Sequence, residues 1–164
     1  MAALTITYAD DACAIGTLGH VCAVVWRGES TVARNNEWMR AAHDLARRLG
    51  TPIAVTSTVT EGAPTPASEI RTAQGRFLEE LSRSALAAGV IIDGVGFRAS
   101  LVRAVVASVT ALARYKCPFR VATTDAEMSR WLHERSASLP PGAVRADEKE
   151  LSSFFTTLRT RTAR

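Results

Sequence analysis

Val90-Ile91-Ile92-Asp93-Gly94-Val95-Gly96-Phe97-Arg98-Ala99-Ser100, residues 90–100, is the stretch on which the fold turns. Three apolar β-formers with no polar alternation read as a strand inside a parallel sheet, covered on both faces. Gly94 and Gly96 then punctuate a turn. The residues that follow are apolar around most of a helical circumference, with Leu101, Val105 and Leu112 on one stripe and Val102, Val106, Val109 and Ala113 on another. A strand, a glycine turn and a buried helix make the repeating unit of an α/β sheet.

The same unit extends both ways along the chain. Downstream, residues 119–122 read as a last strand, and Thr124-x-x-Glu127 has the form of a capping box opening a helix with Met128, Trp131 and Leu132. Upstream, residues 53–59 are rich in β-branched side chains. Thr65-Pro66 predicts the start of a helix carrying Ile70, Phe77, Leu81 and Ala85. Before that strand, Ser30 or Thr31 can cap a helix whose face is Trp38, Met39, Ala42, Leu45, Ala46 and Leu49, with Gly50 closing it. Near the start, Leu4, Ile6 and Tyr8 alternate with Thr5 and Thr7, which predicts a half-buried strand. Asp10-Asp11 makes a turn, and residues 12–18 and 20–26 are two further extended stretches around Gly19. The expected fold class is α/β, a mixed, mostly parallel sheet with helices on both faces.

Residues 136–142, with Pro140-Pro141, read as a linker. Beyond it Leu151, Phe154, Phe155 and Leu158 share a helical face, with Asp147, Glu148 and Glu150 at the start and Arg159, Arg161 and Arg164 at the end, as the helix dipole favours. The organisation expected is an α/β domain over residues 1–138, and a linker with a C-terminal amphipathic helix over 139–164. Docking of that helix on its own domain is the simpler expectation, binding to a partner the other.

Composition narrows the classes of function. With 164 residues and 47% apolar content, the chain can build a core, so wholesale disorder is excluded. No apolar run approaches the roughly 18 residues of a membrane helix. The opening MAALTITYADD has no basic segment followed by an apolar one, so no signal peptide is read there and a cytoplasmic location is expected. The net charge of +4 comes mostly from arginine, but acids are mixed among the basic residues and aromatics are few, which argues against a nucleic-acid surface. Cys13, Cys22 and Cys117 are scattered, and no Cys/His spacing suits zinc. Reduced structural thiols are expected, with no metal and no cofactor.

Sites in open α/β sheets lie beyond the carboxyl ends of parallel strands. That rule nominates the loops at 60–62, 93–100 and 123–125. The middle loop is the richest, with Asp93, Gly94, Gly96, Arg98 and Ser100 as candidate binding residues. Its Gly94-Val95-Gly96-Phe97-Arg98-Ala99 fits G-x-G-x-x-A, yet it is not the first β-α unit and no suitably placed acid follows. A general anion preference at a helix start fits it better than a dinucleotide. A tight turn that needs two glycines explains the same residues. Glu61, Asp93 and Asp125 could converge as an acid/base set. No catalytic set is complete: the three histidines sit on other elements than Ser57, Ser100 or the thiols, and there is no G-x-S-x-G elbow.

At VIIDGVGFRASLVRAVVASV the order of elements resembles a STAS domain, the fold of anti-sigma factor antagonists and of the cytoplasmic domains of sulphate transporters. Phe97 and the helix from Ser100 occupy places comparable to the family's signature, and FRVAT matches its later strand. Ala99 stands where the family carries Asp, and Leu101 and Val102 replace its second Ser and its Gly, so Ser100 alone matches the motif. The resemblance spans residues 12–136. It implies a non-enzymatic bacterial regulatory or protein-interaction module that signals through contact with another protein, a regulator or a kinase. It also implies phosphorylation at Ser100, which would break that contact by charge and desolvation. Two alternatives stand beside it. One is a small enzyme or anionic-ligand binder using the carboxylates and Arg98. The other is a structural subunit that self-associates through its tail helix, the chain being a monomer or a homodimer.

Overall fold

The structure is a computed structural model that describes residues 2–96, 99–100, 103 and 115–162. It is an α/β fold with a six-stranded mixed sheet whose strands are Leu4–Ala9 (β1), Cys13–Leu18 (β2), Val21–Trp26 (β3), Ala54–Val59 (β4), Ala87–Ile92 (β5) and Phe119–Ala122 (β6). They lie side by side in chain order. β1 to β3 form an antiparallel meander, and the pairings from β3 to β6 are all parallel. The helices described in full are Val32–Leu49 (α1), Ser68–Leu81 (α2), Asp125–Ser136 (α3) and Glu148–Thr160 (α4). The buried helix expected after Ser100 falls outside the described residues, apart from helical backbone at Ala99, Ser100 and Arg103.

The helices cover both faces. α1 and α2 lay Trp38, Leu45, Phe77 and Leu81 on Ile15, Val24 and Trp26. There Trp38 meets Trp26 and Phe77 edge-on, with ring centroids 6.4 and 5.3 Å apart. α3 and α4 lay Met128, Trp131, Phe154, Phe155 and Leu158 on the opposite face. The tail helix therefore docks on its own sheet, against β2, β3 and α3.

Caps set the helix ends. The Thr31 hydroxyl accepts from the Arg34 N–H to start α1, and Gly50 ends it in the left-handed region at φ 61°. Asp147 and Glu150 form a complete capping box at α4. At α3 the Thr124 hydroxyl accepts from Glu127 N–H, but the Glu127 carboxylate reaches back to Thr123 N–H instead of Thr124.

Three local expectations need correction. Ile6 opposes Gly16 but Tyr8 opposes Ile15, so Thr7 is an extra residue in β1. That β-bulge sends Tyr8 to the α1 face and leaves Ile6 on the α4 face, breaking the strict alternation. α2 begins at Ser68 with Ala67 as an N-cap that makes no side-chain bond, so Thr65-Pro66 lies in the preceding loop. β5 starts at Ala87, three residues before the apolar run, because pairing with β4 holds Ala87, and pairing with both β4 and β6 holds Ala88 and Gly89, in the ladder despite their weak strand preference.

Candidate functional site

The parallel strands end at Trp26, Val59, Ile92 and Ala122, and their carboxyl ends deliver the loops beginning at 27, 60, 93 and 123 to one edge of the sheet. The edge carries an arginine-rich polar lattice. Arg159, in the last turn of α4, bonds with both its terminal nitrogens to the Asp93 carboxylate and, through Nε and Nη2 at 2.8 and 2.6 Å, to Asp125. All three side chains are about a fifth to a quarter exposed. The hydrogen bonds it donates to Asp125, and then those to Asp93, raise the guanidinium pKa against the cost of its own burial. Paired forks of this kind fix geometry as well as charge.

Arg27 supplies a second clamp. Its Nη1 donates to the Leu158 carbonyl at 3.0 Å, and its Nη2 donates to the carbonyls of Asp10 and Arg161 at 2.7 and 2.6 Å. It thus ties down carbonyls at the C-terminus of α4, where the Leu158 carbonyl also accepts from the Arg161 N–H at 3.4 Å. A third clamp is Arg34, whose Nε bonds to Asp10 at 2.7 Å. Burial pushes the Asp10 carboxyl up, but the bonds from Arg34, from the Cys13 and Ala12 N–H groups and from Tyr8 outweigh it and bring the pKa down to about 2.

Asp93 and Asp125 do converge as the topology rule suggested, but on Arg159. They form an ion-paired fastening for α4. Glu61 lies beside Gly94 and lines the same recess as Asp93, but it is not among the carboxylates bonded to Arg159. Gly94 and Gly96 adopt φ of 93° and 96°, a region L-residues avoid, so the backbone alone requires glycine at both. The Gly94 carbonyl accepts from Arg103 Nη2 at 2.8 Å, and Ser100 N–H donates to the Gly96 carbonyl at 3.0 Å. Ser100 is exposed at the helix start, and Val95, between the two glycines, is 90% exposed. Arg98 lies outside the described residues. Behind the loop a recess of about 160 Å³ is lined by Val59, Glu61, Ile92, Asp93 and Val95 among others.

Sequence reasoning missed Arg159 and Arg27 as organisers of this edge. Arg159 is 66 residues from Asp93 and 34 from Asp125, and nothing local signals such a contact. The thiols behave as expected of structural cysteines. Burial pushes Cys13 and Cys22 up to about 12, far from the reactive range. Among the described residues no group of three His, Cys, Asp or Glu could hold a metal ion, and no helix is long and apolar enough to cross a membrane. Compared with models of protein families, with curated proteins and with solved structures, the chain matches none.

Proposed function

We propose that the chain is a STAS-like regulatory module of bacterial type that works by binding another protein through the loop after β5, with Ser100 as a phosphorylation switch. The observation that carries this reading is Val95. A branched apolar side chain is held 90% exposed on a two-glycine turn, next to exposed Ser100, at the edge where α/β folds place their sites. An exposed valine on this turn offers a small apolar contact to a partner's surface. The neighbouring carboxylates Asp93 and Asp125 are committed to Arg159, which favours recognition over acid/base chemistry at this edge.

In this reading a partner kinase transfers the γ-phosphoryl group of ATP to the Ser100 hydroxyl. The added charge, close to −2, then has to be desolvated for the loop to bind, and the contact is lost. Intact-mass and peptide mass spectrometry after incubation with Ser/Thr protein kinases and ATP tests it. Phosphate is expected on Ser100 and absent in Ser100→Ala; modification that persists unchanged in Ser100→Ala overturns the switch. Val95→Asp is expected to abolish partner capture without lowering the unfolding midpoint, and capture unaffected by that change overturns the loop as the binding surface.

A further inference from the structure

We infer that two copies of this chain pair through their β1 edges, joining two sheets into one across a two-fold axis. The inference is independent of the reading at Val95 and begins from the contrast between the sheet's outer strands. β6 has four residues, follows Pro118, and carries Arg120, whose guanidinium sits 5.7 Å from the Trp131 ring centre. Short length, proline and charge are the usual guards of an edge. β1 has six residues, LTITYA, with no charge and no proline, and Leu4 is 43% exposed. Its one guard is the bulge at Thr7, which confines regular pairing to the segment before it.

That segment suits an antiparallel match to itself. With the two-fold at Thr5, Leu4 of one copy opposes Ile6 of the other on the α4 face, covering the exposed leucine, and the two Thr5 side chains meet on the α1 face. Such cross-strand pairs are the unit of sheet stability. The face of Thr5 borders a groove of about 270 Å³ between β1 and α1, because α1 covers β2 and β3 and stops short of β1. Glu37, Arg40, Asp44 and Arg48 line its helical wall.

These charges alternate in sign along α1, and an alternating row of four is complementary to itself when reversed. The two-fold supplies that reversal, setting Glu37 against Arg48 and Arg40 against Asp44 of the second copy. With strands about 4.8 Å apart, the two α1 helices stand about 19 Å apart, a gap that an extended arginine and a facing carboxylate together span. In the single chain Arg40 pairs with Glu37 and Arg47 with Asp44, while Arg48 has no carboxylate within ion-pair distance among the described residues. Surface pairs of this kind are weak and exchange readily.

Sedimentation velocity on the full chain over a range up to about 100 μM tests the inference. A dimer is expected. Thr5→Lys, which sets two ammonium groups face to face on the axis, should weaken dimerisation about tenfold or more while circular dichroism stays unchanged. Glu37→Arg should weaken it too, and Glu37→Arg with Arg48→Glu should restore it. A chain that is monomeric throughout overturns the inference and leaves the edge to strand addition by a partner's extended peptide. A dimer insensitive to Thr5→Lys and to both charge variants overturns it as well, placing the interface elsewhere.

Discussion

The two faces of the sheet solve the same packing problem in opposite ways. On the α3/α4 face one register row runs Gly16, Ala23, Thr56, Gly89, a furrow of small side chains across four strands. Large helical side chains fill it. A Cβ built on Gly16 would lie 3.2 Å from Phe154 and 3.1 Å from Leu158, and one on Gly89 would lie 2.7 Å from Met128. On the α1/α2 face the strands themselves carry bulk, with Ile15, Val24 and Trp26, and the helices answer with Ala41 and Ala42 beside Trp38. A furrow receives ridges on one face; on the other, bulky strand side chains interlock with Trp38, Leu45, Phe77 and Leu81 around the small Ala41 and Ala42. The faces also differ in their polar groups. Among the described residues Asn35 and Trp38 on the α1 side keep unpartnered polar atoms that do not titrate, whereas on the α3/α4 side the unpartnered atoms include the ring nitrogens of buried His20.

The largest expected effect follows from filling the furrow. Gly16→Val puts a branched side chain where Phe154 and Leu158 already lie and where the Thr5 carbonyl, which cannot swing away, would be 2.9 Å from its Cβ. Overpacking against backbone costs at the upper end of the usual range, about 3 kcal/mol. Urea unfolding checks it. A loss under 1 kcal/mol would mean that α4 rides above the furrow and that the faces are not complementary in the way described.

Next in size is the fastening at the carboxyl edge. Arg159→Leu leaves Asp93 and Asp125 without their counter-ion. Breaking a fully buried pair costs about 3–5 kcal/mol, and partial exposure here reduces that to about 2 kcal/mol. Asp93→Asn with Asp125→Asn in the Arg159→Leu background should recover most of the loss, because no unpaired charge then remains. No recovery would mean that Arg159 acts by packing alone.

The far end of the same layer responds to pH. His20 is 1% exposed in the turn between β2 and β3, beneath the segment at Val144–Ala146. Among the described residues neither ring nitrogen has a partner at hydrogen-bonding geometry. Burial lowers its pKa most; the nearby Val144 carbonyl opposes that, and the charges of Arg145 and His133 add to the lowering. As pH falls through about 6.5 the unfolded chain takes up a proton that the folded chain refuses, so stability drops by at most about 1.4 kcal/mol per pH unit until the lowered folded value is reached. Unfolding free energies at pH 7.5 and 5.5 in wild type and His20→Leu isolate the contribution. An identical pH dependence in the two would remove His20 from the account.

The sequence disclosed those parts of the fold that are written locally. The apolar run at Val90, a cap at Ser30 or Thr31 and another at Gly50, and the stripe of Leu151, Phe154, Phe155 and Leu158 needed only neighbours within one or two turns to be read. The furrow was not legible, since Gly16 and Gly89 are 73 positions apart and gain meaning only when three intervening pairings place them in one row. The bulge at Thr7 escaped for a related reason, as an alternating LTITY pattern is consistent with an unbroken strand and only pairing with β2 reveals the extra residue. At the candidate site the loop with its two glycines was legible, because positive φ leaves a compositional trace. The role of Asp93 and Asp125 was not, because the arginine that claims them comes from the last helix.

The smallest effect tests whether the glycines of the furrow are special or merely glycines. Gly75 lies in the interior of α2, on the other face, and among the described residues a Cβ there would meet nothing within 4 Å. Gly75→Ala should therefore stabilise by about 0.5–1 kcal/mol, through helix propensity and a less flexible unfolded chain. Gly89→Ala makes the same chemical change on the α3/α4 face, where Met128 Cε would be 2.7 Å from the new methyl and Sδ and the Arg120 carbonyl 3.0 and 3.2 Å away. Methionine can swing its end aside, so a loss of about 1 kcal/mol is expected rather than unfolding. The opposite signs of these two substitutions, read as shifts of the thermal midpoint in either direction, measure the difference between the faces with one methyl group. Two shifts of the same sign would mean that the close approach of Met128 to Gly89 carries no energetic weight.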